Sequence, residues 1–292
     1  MNFQQILKTF INTPPSEWGY LVRRKFNKTQ SLNQFDETHP CVFVLSTGRV
    51  GTQTLAALCS LAPNVLAYHE PKPYLYKLSR CAYDLHEDKM ARIALKEAFL
   101  SMRQVLMQRS LFYKRGYVET SPQMTFLAPA ILEAIPDVRF IHLVRDPHDV
   151  VRSGMRRKWY EGHAADINRI SPRSDSPYQK DWANMSAFRK NIWLWTETNR
   201  WILNFTTKIP KEQTILIHSE DIFTGNRQTL DNIFHLLNSP LPSQKRIKKI
   251  LGKTLNAQTE GNFPKASKWS DDLQIELNTI AGDILEPLGY QS

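Results

Sequence analysis

Cysteine is scarce: three residues in a chain of 292, with no pair spaced C-x-x-C, which excludes a disulfide-stapled scaffold and a cysteine-based zinc motif. Cys41, Cys59 and Cys81 read as free thiols, two of them in apolar surroundings where cysteine behaves as a small hydrophobe. Long apolar runs are missing too. None approaches the roughly 20 residues that a membrane-spanning helix needs, and the N-terminal stretch MNFQQILKTFINTPPSEW lacks the basic start, apolar core and small-residue cleavage site of a secretory signal. A cytoplasmic location is the expectation. Internal repeats, low-complexity tracts and dense basic tracts are also absent. The formal net charge of +10 therefore indicates an anionic partner without the concentrated charge or recognition motif of a dedicated nucleic-acid binder. The brief basic bursts Arg23–Lys25, Arg156–Lys158 and Lys245–Lys249 read as solvated helix faces, the first also as a candidate for peripheral contact with a membrane.

The chain does contain alternating strand and helix signals. Residues 1–38 read as an N-terminal extension and residues 39–292 as one domain. From residue 41, short apolar runs (CVFVLS, NVLAYHE, GYVET, RFIHLV, TILIHSEDI) are separated by segments with apolar residues three and four apart. That alternation predicts an α/β fold of three layers, a central parallel sheet flanked by helices. RFIHLV, Arg139–Val144, is the most hydrophobic run and is expected at the centre of the sheet. Residues 161–182, rich in Ser, Pro, Asp and Asn and without a period, read as a surface insertion or lid. Trp193, Trp195 and Trp201, on one predicted helix, read as core.

The segment STGRVGTQTL follows the first strand and opens a helix, a P-loop-like arrangement that points backbone N–H groups and the positive end of the helix dipole at an anion. Gly48 and Gly51 permit close backbone approach. Thr47, Thr52 and Thr54 supply hydroxyls, and Arg49 supplies a planar fork for phosphate or sulfonate oxygens. Val50 and Gln53 complete the binding segment. A nucleotide kinase would place Lys and Ser/Thr after the second glycine; Thr52 and Gln53 stand there instead, so the anion is one that needs no lysine–magnesium clamp.

These residues resemble the sulfotransferases that use 3′-phosphoadenosine 5′-phosphosulfate (PAPS). In that family a strand–loop–helix with Lys or Arg, Gly and Ser/Thr holds the 5′-phosphosulfate, as TGRVGTQT would. A second segment, Arg-Asp-Pro with a serine eight positions after the arginine, holds the 3′-phosphate, and RDPHDVVRSGM provides Arg145 and Ser153 at that separation. ILIHSEDI and the closing FPKASKWSDDLQIELNTIAGDILEPLGY extend the likeness from about residue 40 to the C-terminus. The resemblance implies a P-loop-like fold, PAPS as donor and no metal cofactor; Lys72 and Lys265 are additional candidates for contact with the donor's anionic groups.

Sulfonyl transfer to a hydroxyl is helped by a base that removes its proton. Where small-molecule members of the family carry Lys-Thr-His, this chain has VETS (Val118–Ser121), without the histidine. Carbohydrate and several bacterial members instead place a glutamate shortly after the first helix, often before proline, and YHEPKP (Tyr68–Pro73) fits that pattern. Glu70 is thus the first candidate base. His69 is the second, and as its neighbour on an extended segment it is expected to face the other way; Glu119 is the third. Arg49 would also stabilise charge on the transferring group. Trp159 and Tyr160, beside the insertion, are candidates for contact with the acceptor. The implied reaction is transfer to a hydroxyl of a carbohydrate or glycoconjugate. A divergent P-loop kinase and a non-catalytic nucleotide-binding relative stay open as rivals at this point.

Overall fold

The computed structural model describes residues 32–253 and 261–291. Five strands, β1 (Cys41–Leu45), β2 (Val65–Tyr68), β3 (Gly116–Glu119), β4 (Arg139–Val144) and β5 (Thr214–His218), form one sheet in the order β2-β3-β1-β4-β5. Every pairing is parallel. All residues of β1 are buried, the pattern of a strand covered on both faces. The expected fold class holds, but β1 rather than β4 is the central strand. Apolar content reports burial on both faces, a property that every interior strand shares, so it does not rank them.

The helices are α1 (Thr52–Cys59), α2 (Tyr76–Asp84), α3 (Lys89–Phe112), α4 (Ala128–Ala134), α5 (Pro147–Arg156), α6 (Ala187–Thr206), α7 (Ser219–Thr224), α8 (Arg227–Leu236), α9 (Gln244–Leu251) and α10 (Asp271–Leu285). Several start on side-chain caps that satisfy first-turn N–H groups. Asp88 accepts from Met90 N and Ala91 N, Asp146 from His148 N, and Ser186 from Arg189 N. The run TILIHSEDI divides at Ser219: only Thr214–His218 is strand, and Ser219–Thr224 turns helical. Trp193 and Trp195 are fully buried, while Trp201 is half-buried and stacked on Phe205. Residues 161–182 contain only short 3-10 turns. No helix of the described residues is long and apolar enough to cross a membrane.

Of the expected N-terminal extension, residues 1–31 and with them Arg23–Lys25 lie outside the described residues, whereas Phe35 is buried in the core. β1 lies between β3 and β4, so the chain leaving β1 and the chain leaving β4 diverge at neighbouring strand ends. In an open parallel sheet that divergence opens the crevice in which ligands bind.

Candidate active site

The loop from β1 to α1 holds three left-handed residues, Gly48 (φ 82°), Arg49 (φ 61°) and Gly51 (φ 85°). Arg49 pays a steric cost for that conformation, of a kind retained where surroundings fix the backbone. The surroundings here are specific. Thr125 Oγ1 accepts from Ser46 N at 2.9 Å and donates to Ser46 O at 2.9 Å, and Ser219 Oγ donates to the carbonyl of Val50. Gly51 is the N-cap of α1 and offers no side chain to the first-turn N–H groups, which leaves them available to an anion.

The second cationic element is the start of α5. Arg145 Nη2 donates to Asp149 Oδ2 at 2.5 Å, Nη1 reaches Arg49 O at 3.4 Å, and the guanidinium lies 5.4 Å from the centre of the Phe223 ring. Its Nε is buried and has no hydrogen-bond partner among the described residues. Ser153 is about two turns further on, and its Oγ accepts from Arg49 Nε at 3.0 Å. The two segments singled out in the sequence therefore meet in space, through Arg49 and Ser153. Burial, then the charges of Arg157 and Arg145, lower the pKa of Arg49 to about 10. Burial, then Arg169 and Arg156, also lower that of Arg157. Cations held this closely are relieved by a bound anion.

Beyond β2 the chain does not stay extended. Glu70 has φ 43°, and this turn brings both His69 and Glu70 to the cavity, against the expectation that they face opposite ways. His69 Nε2 is 4.0 Å from Glu70 Oε1. Its Nδ1 is 3.1 Å from Thr120 Oγ1 and 3.2 Å from Thr120 O, and Tyr76 donates its hydroxyl to Glu70 Oε2 at 3.0 Å. Glu119 is elsewhere. It is fully buried, accepts from Arg103 Nε and Nη2 at 2.8 and 3.0 Å, and also takes the hydroxyls of Tyr117 and Ser121. All four donors hold the carboxylate in a structural ion pair. Arg103 Nη1 continues to Pro73 O at 2.9 Å, tying the Glu70 turn to this pair.

These elements enclose a cavity of about 670 Å³. Thr47, Gly48, Arg49, Gly51, Thr52, Gln53, Thr54, Arg145 and Ser153 all line it, as do Glu70, His69 and Trp159. Val50 is buried behind the loop, Lys72 and Lys265 are exposed, and none of the three is among the lining residues. Tyr160 is turned into the protein with its hydroxyl on Ile170 O at 2.8 Å. The face of Trp159 is covered by the Arg169 guanidinium at 3.9 Å.

Sequence reasoning missed Arg80, Arg152, Arg156, Arg157, Arg169, Tyr76 and Phe223, all of which line the cavity. A signal existed for two of them, Arg152 and Arg156. Counting from Arg145 by helical spacing, Asp149, Arg152, Ser153 and Arg156 fall on one face of α5, opposite the buried Val150, Val151 and Gly154. The burst Arg156–Lys158 is thus not simply a solvated face: Arg156 and Arg157 turn into the cavity and only Lys158 is exposed. Arg80 and Phe223 carried no comparable pattern.

A parallel sheet whose first loop and helix N-terminus face a cationic crevice at the strand ends defines a P-loop-like α/β protein. The sequence profile of the sulfotransferase family matches residues 40–243, and the chain belongs to that family. No curated protein matches the chain. Among solved structures it is similar to the sulfotransferase domain from the curacin biosynthetic pathway, with TM-score 0.54 and 17% identity over 87% of this chain and 98% of that one. It is also similar to the sulfotransferase domain of the olefin synthase of Synechococcus PCC 7002, with TM-score 0.51 and 15% identity over 91% of this chain and 100% of that one. A sulfotransferase from Mycobacterium avium matches with TM-score 0.50 and 13% identity over 89% and 79% of the two chains. At such identities the likeness concerns the fold.

Proposed function

We propose that this protein, with residues 39–292 as its catalytic domain, transfers the sulfonyl group of PAPS to a hydroxyl of a carbohydrate or glycoconjugate in the cytoplasm. The observation that supports it most directly is the Arg49–Ser153 contact at 3.0 Å, which joins the anion loop to the cationic face of α5. The residues present fit this donor. The α1 N-terminus, Thr47 and Thr52 would hold the phosphosulfate, Arg145 (its Nε without a partner among the described residues) and Ser153 the 3′-phosphate, and the exposed Phe223 ring beside Arg145 a face of the base.

Glu70 takes the acceptor proton as the acceptor oxygen bonds to sulfur and the sulfur–oxygen bond to the phosphate breaks. Arg49 and Arg157 meet the charge that develops on the sulfonate and on the leaving phosphate, in place before reaction and therefore without reorganisation. Tyr76, hydrogen-bonded to Glu70, fixes the carboxylate. The carbohydrate acceptor rests on the position of Glu70 and on VETS in place of the histidine-bearing segment.

The test is thermal unfolding with adenosine 3′,5′-bisphosphate, beside ATP with magnesium and no ligand. At a hundredfold excess over its dissociation constant a specific ligand adds about 2.7 kcal/mol, seen as a rise of several degrees. Stabilisation by the bisphosphate alone is expected. Stabilisation only by ATP with magnesium, or by neither, overturns the proposal.

A further inference from the structure

The cavity is charged at one end and neutral at the other. At the end formed by the β1 loop and α5, with Phe223 beside them, the lining cations are Arg49, Arg145, Arg152, Arg156, Arg157 and Lys253, and the lining carboxylates are Glu70 and Asp149. Among the described residues this leaves a surplus of four positive charges at that end. PAPS near neutral pH carries about four negative charges, roughly two of them on its 3′-phosphate. The donor as proposed therefore consumes the positive charge of that end.

The other end is built by α2, the turn carrying Phe126, α6 and the insertion. Tyr83 of α2 packs on Phe126 with ring centres 4.9 Å apart and donates its hydroxyl to Glu197 of α6 at 2.9 Å, so these elements form one wall. Two arginines stand there, and each is ion-paired with a carboxylate of the same wall. Arg80 Nε donates to Asp84 Oδ2 at 2.7 Å, and its remaining nitrogens donate to Arg169 O and Ser171 Oγ. Arg169 Nε donates to Asp166 Oδ1 at 2.8 Å while its plane lies on Trp159. Arg80 thereby cross-links α2 to the insertion. The rest of this lining is apolar, with Phe126, Ile170 and Leu194, or polar, with Ser79, Gln123 and Thr198 and, from the insertion, His163 and Asn168. Gln123 Nε2 meets no acceptor at hydrogen-bonding geometry among the described residues.

We infer that the acceptor is an uncharged hydroxyl compound with an apolar body beside the accepting hydroxyl, of the alkyl or aryl glycoside type, and that acidic glycans are disfavoured. The inference rests on the sulfotransfer reading, which assigns the cationic end to the donor. A carboxylate brought to the neutral end loses water without gaining a cation that is not already ion-paired, whereas an uncharged sugar can use Ser79, Gln123 and Thr198, and an apolar aglycone can pack on Phe126 and Leu194.

The test is calorimetric titration of the full chain, saturated with adenosine 3′,5′-bisphosphate, with 4-nitrophenyl β-glucoside and 4-nitrophenyl β-glucuronide, which differ by one carboxylate. The glucoside is expected to bind at least tenfold more tightly. Equal affinity, preference for the glucuronide, or binding of neither overturns the inference while the bisphosphate still binds and the donor reading stands. Failure of the bisphosphate itself to bind overturns the donor reading and this inference together.

Discussion

Arg49 reaches across the crevice to Ser153, its Nε donating to the serine Oγ at 3.0 Å over a separation of 104 residues in the chain. One end of this contact is fixed by a left-handed loop and the other by a helix, so the guanidinium is aimed before any ligand arrives. Removal of its charge by Arg49→Ala should lower kcat/KM by about 100- to 1,000-fold, the usual cost of losing a preorganised donor to developing charge. Arg49→Lys keeps the charge but loses the fork and should fall between the two. Ser153→Ala should act mainly on donor affinity. Steady-state kinetics with varied donor separates these effects, and an unimpaired Arg49→Ala enzyme would remove Arg49 from the mechanism.

Glu70→Gln preserves the shape of the turn and its contact with Tyr76 while removing the proposed base. Turnover should drop by about 100- to 10,000-fold, with bisphosphate binding unchanged. His69→Ala should cost less, because the histidine is turned toward Thr120 through Nδ1. If the two variants exchanged ranks, the proton would be going to His69.

The anion loop and α5 were legible because their chemistry is local: glycines at a strand-to-helix turn, and an arginine and a serine at helical spacing. The insertion and its contact with the cavity were partly legible from composition. What the sequence did not reveal depends on tertiary placement. The turn at Glu70 that brings two neighbours to one cavity has a positive φ at a non-glycine residue, which no residue type announces. The role of Glu119 follows from Arg103, 16 residues earlier on α3, and an isolated arginine on an amphipathic helix reads as solvated. The central position of β1 over β4 comes from strand order, which hydrophobicity alone does not encode.

Gly51 has two reasons to be glycine. Its φ is 85°, and a Cβ there would stand 2.7 Å from the edge of the Phe223 ring. Gly51→Ala should destabilise the protein by about 1–3 kcal/mol and, by displacing Phe223, weaken bisphosphate binding. At Gly48 the nearest atom to a Cβ is Pro122 Cγ at 3.5 Å, an ordinary contact, so Gly48→Ala should show the conformational cost alone. Urea unfolding of the two variants makes the comparison; equal losses would mean that Phe223 yields without cost.

The pair Arg103–Glu119 is fully buried and makes a bidentate contact. Arg103→Ala leaves a carboxylate in the core and should cost about 3–5 kcal/mol. The double variant Arg103→Met, Glu119→Gln removes both charges and should recover part of the loss. Because Arg103 also holds Pro73 O, the double variant should remain slower in turnover than the wild type even where it is fully folded. Full activity in that variant would show that the Glu70 turn does not depend on this anchor.

The pH dependence of stability below neutrality should carry the mark of His142. This residue is buried on β4, its Nε2–H donates to Asn199 Oδ1 at 2.9 Å, and burial lowers its pKa to about 4. Between about pH 6.5 and 4 the unfolded chain binds a proton at this site that the folded chain refuses, so stability falls as pH falls through that window, by up to about 3 kcal/mol. His148 works in the opposite sense. Asp146 accepts from its Nδ1 and raises its pKa, so its contribution is fully present below the unfolded value and is lost as pH rises through the folded one. The two histidines therefore act in adjoining windows, with His148 above its ordinary value and His142 below. Urea unfolding at a series of pH values should show a His142→Gln variant with a flatter loss between pH 6.5 and 4 than the wild type and an unchanged trend above it. An identical slope in the two proteins would assign the acid sensitivity to the carboxylates instead.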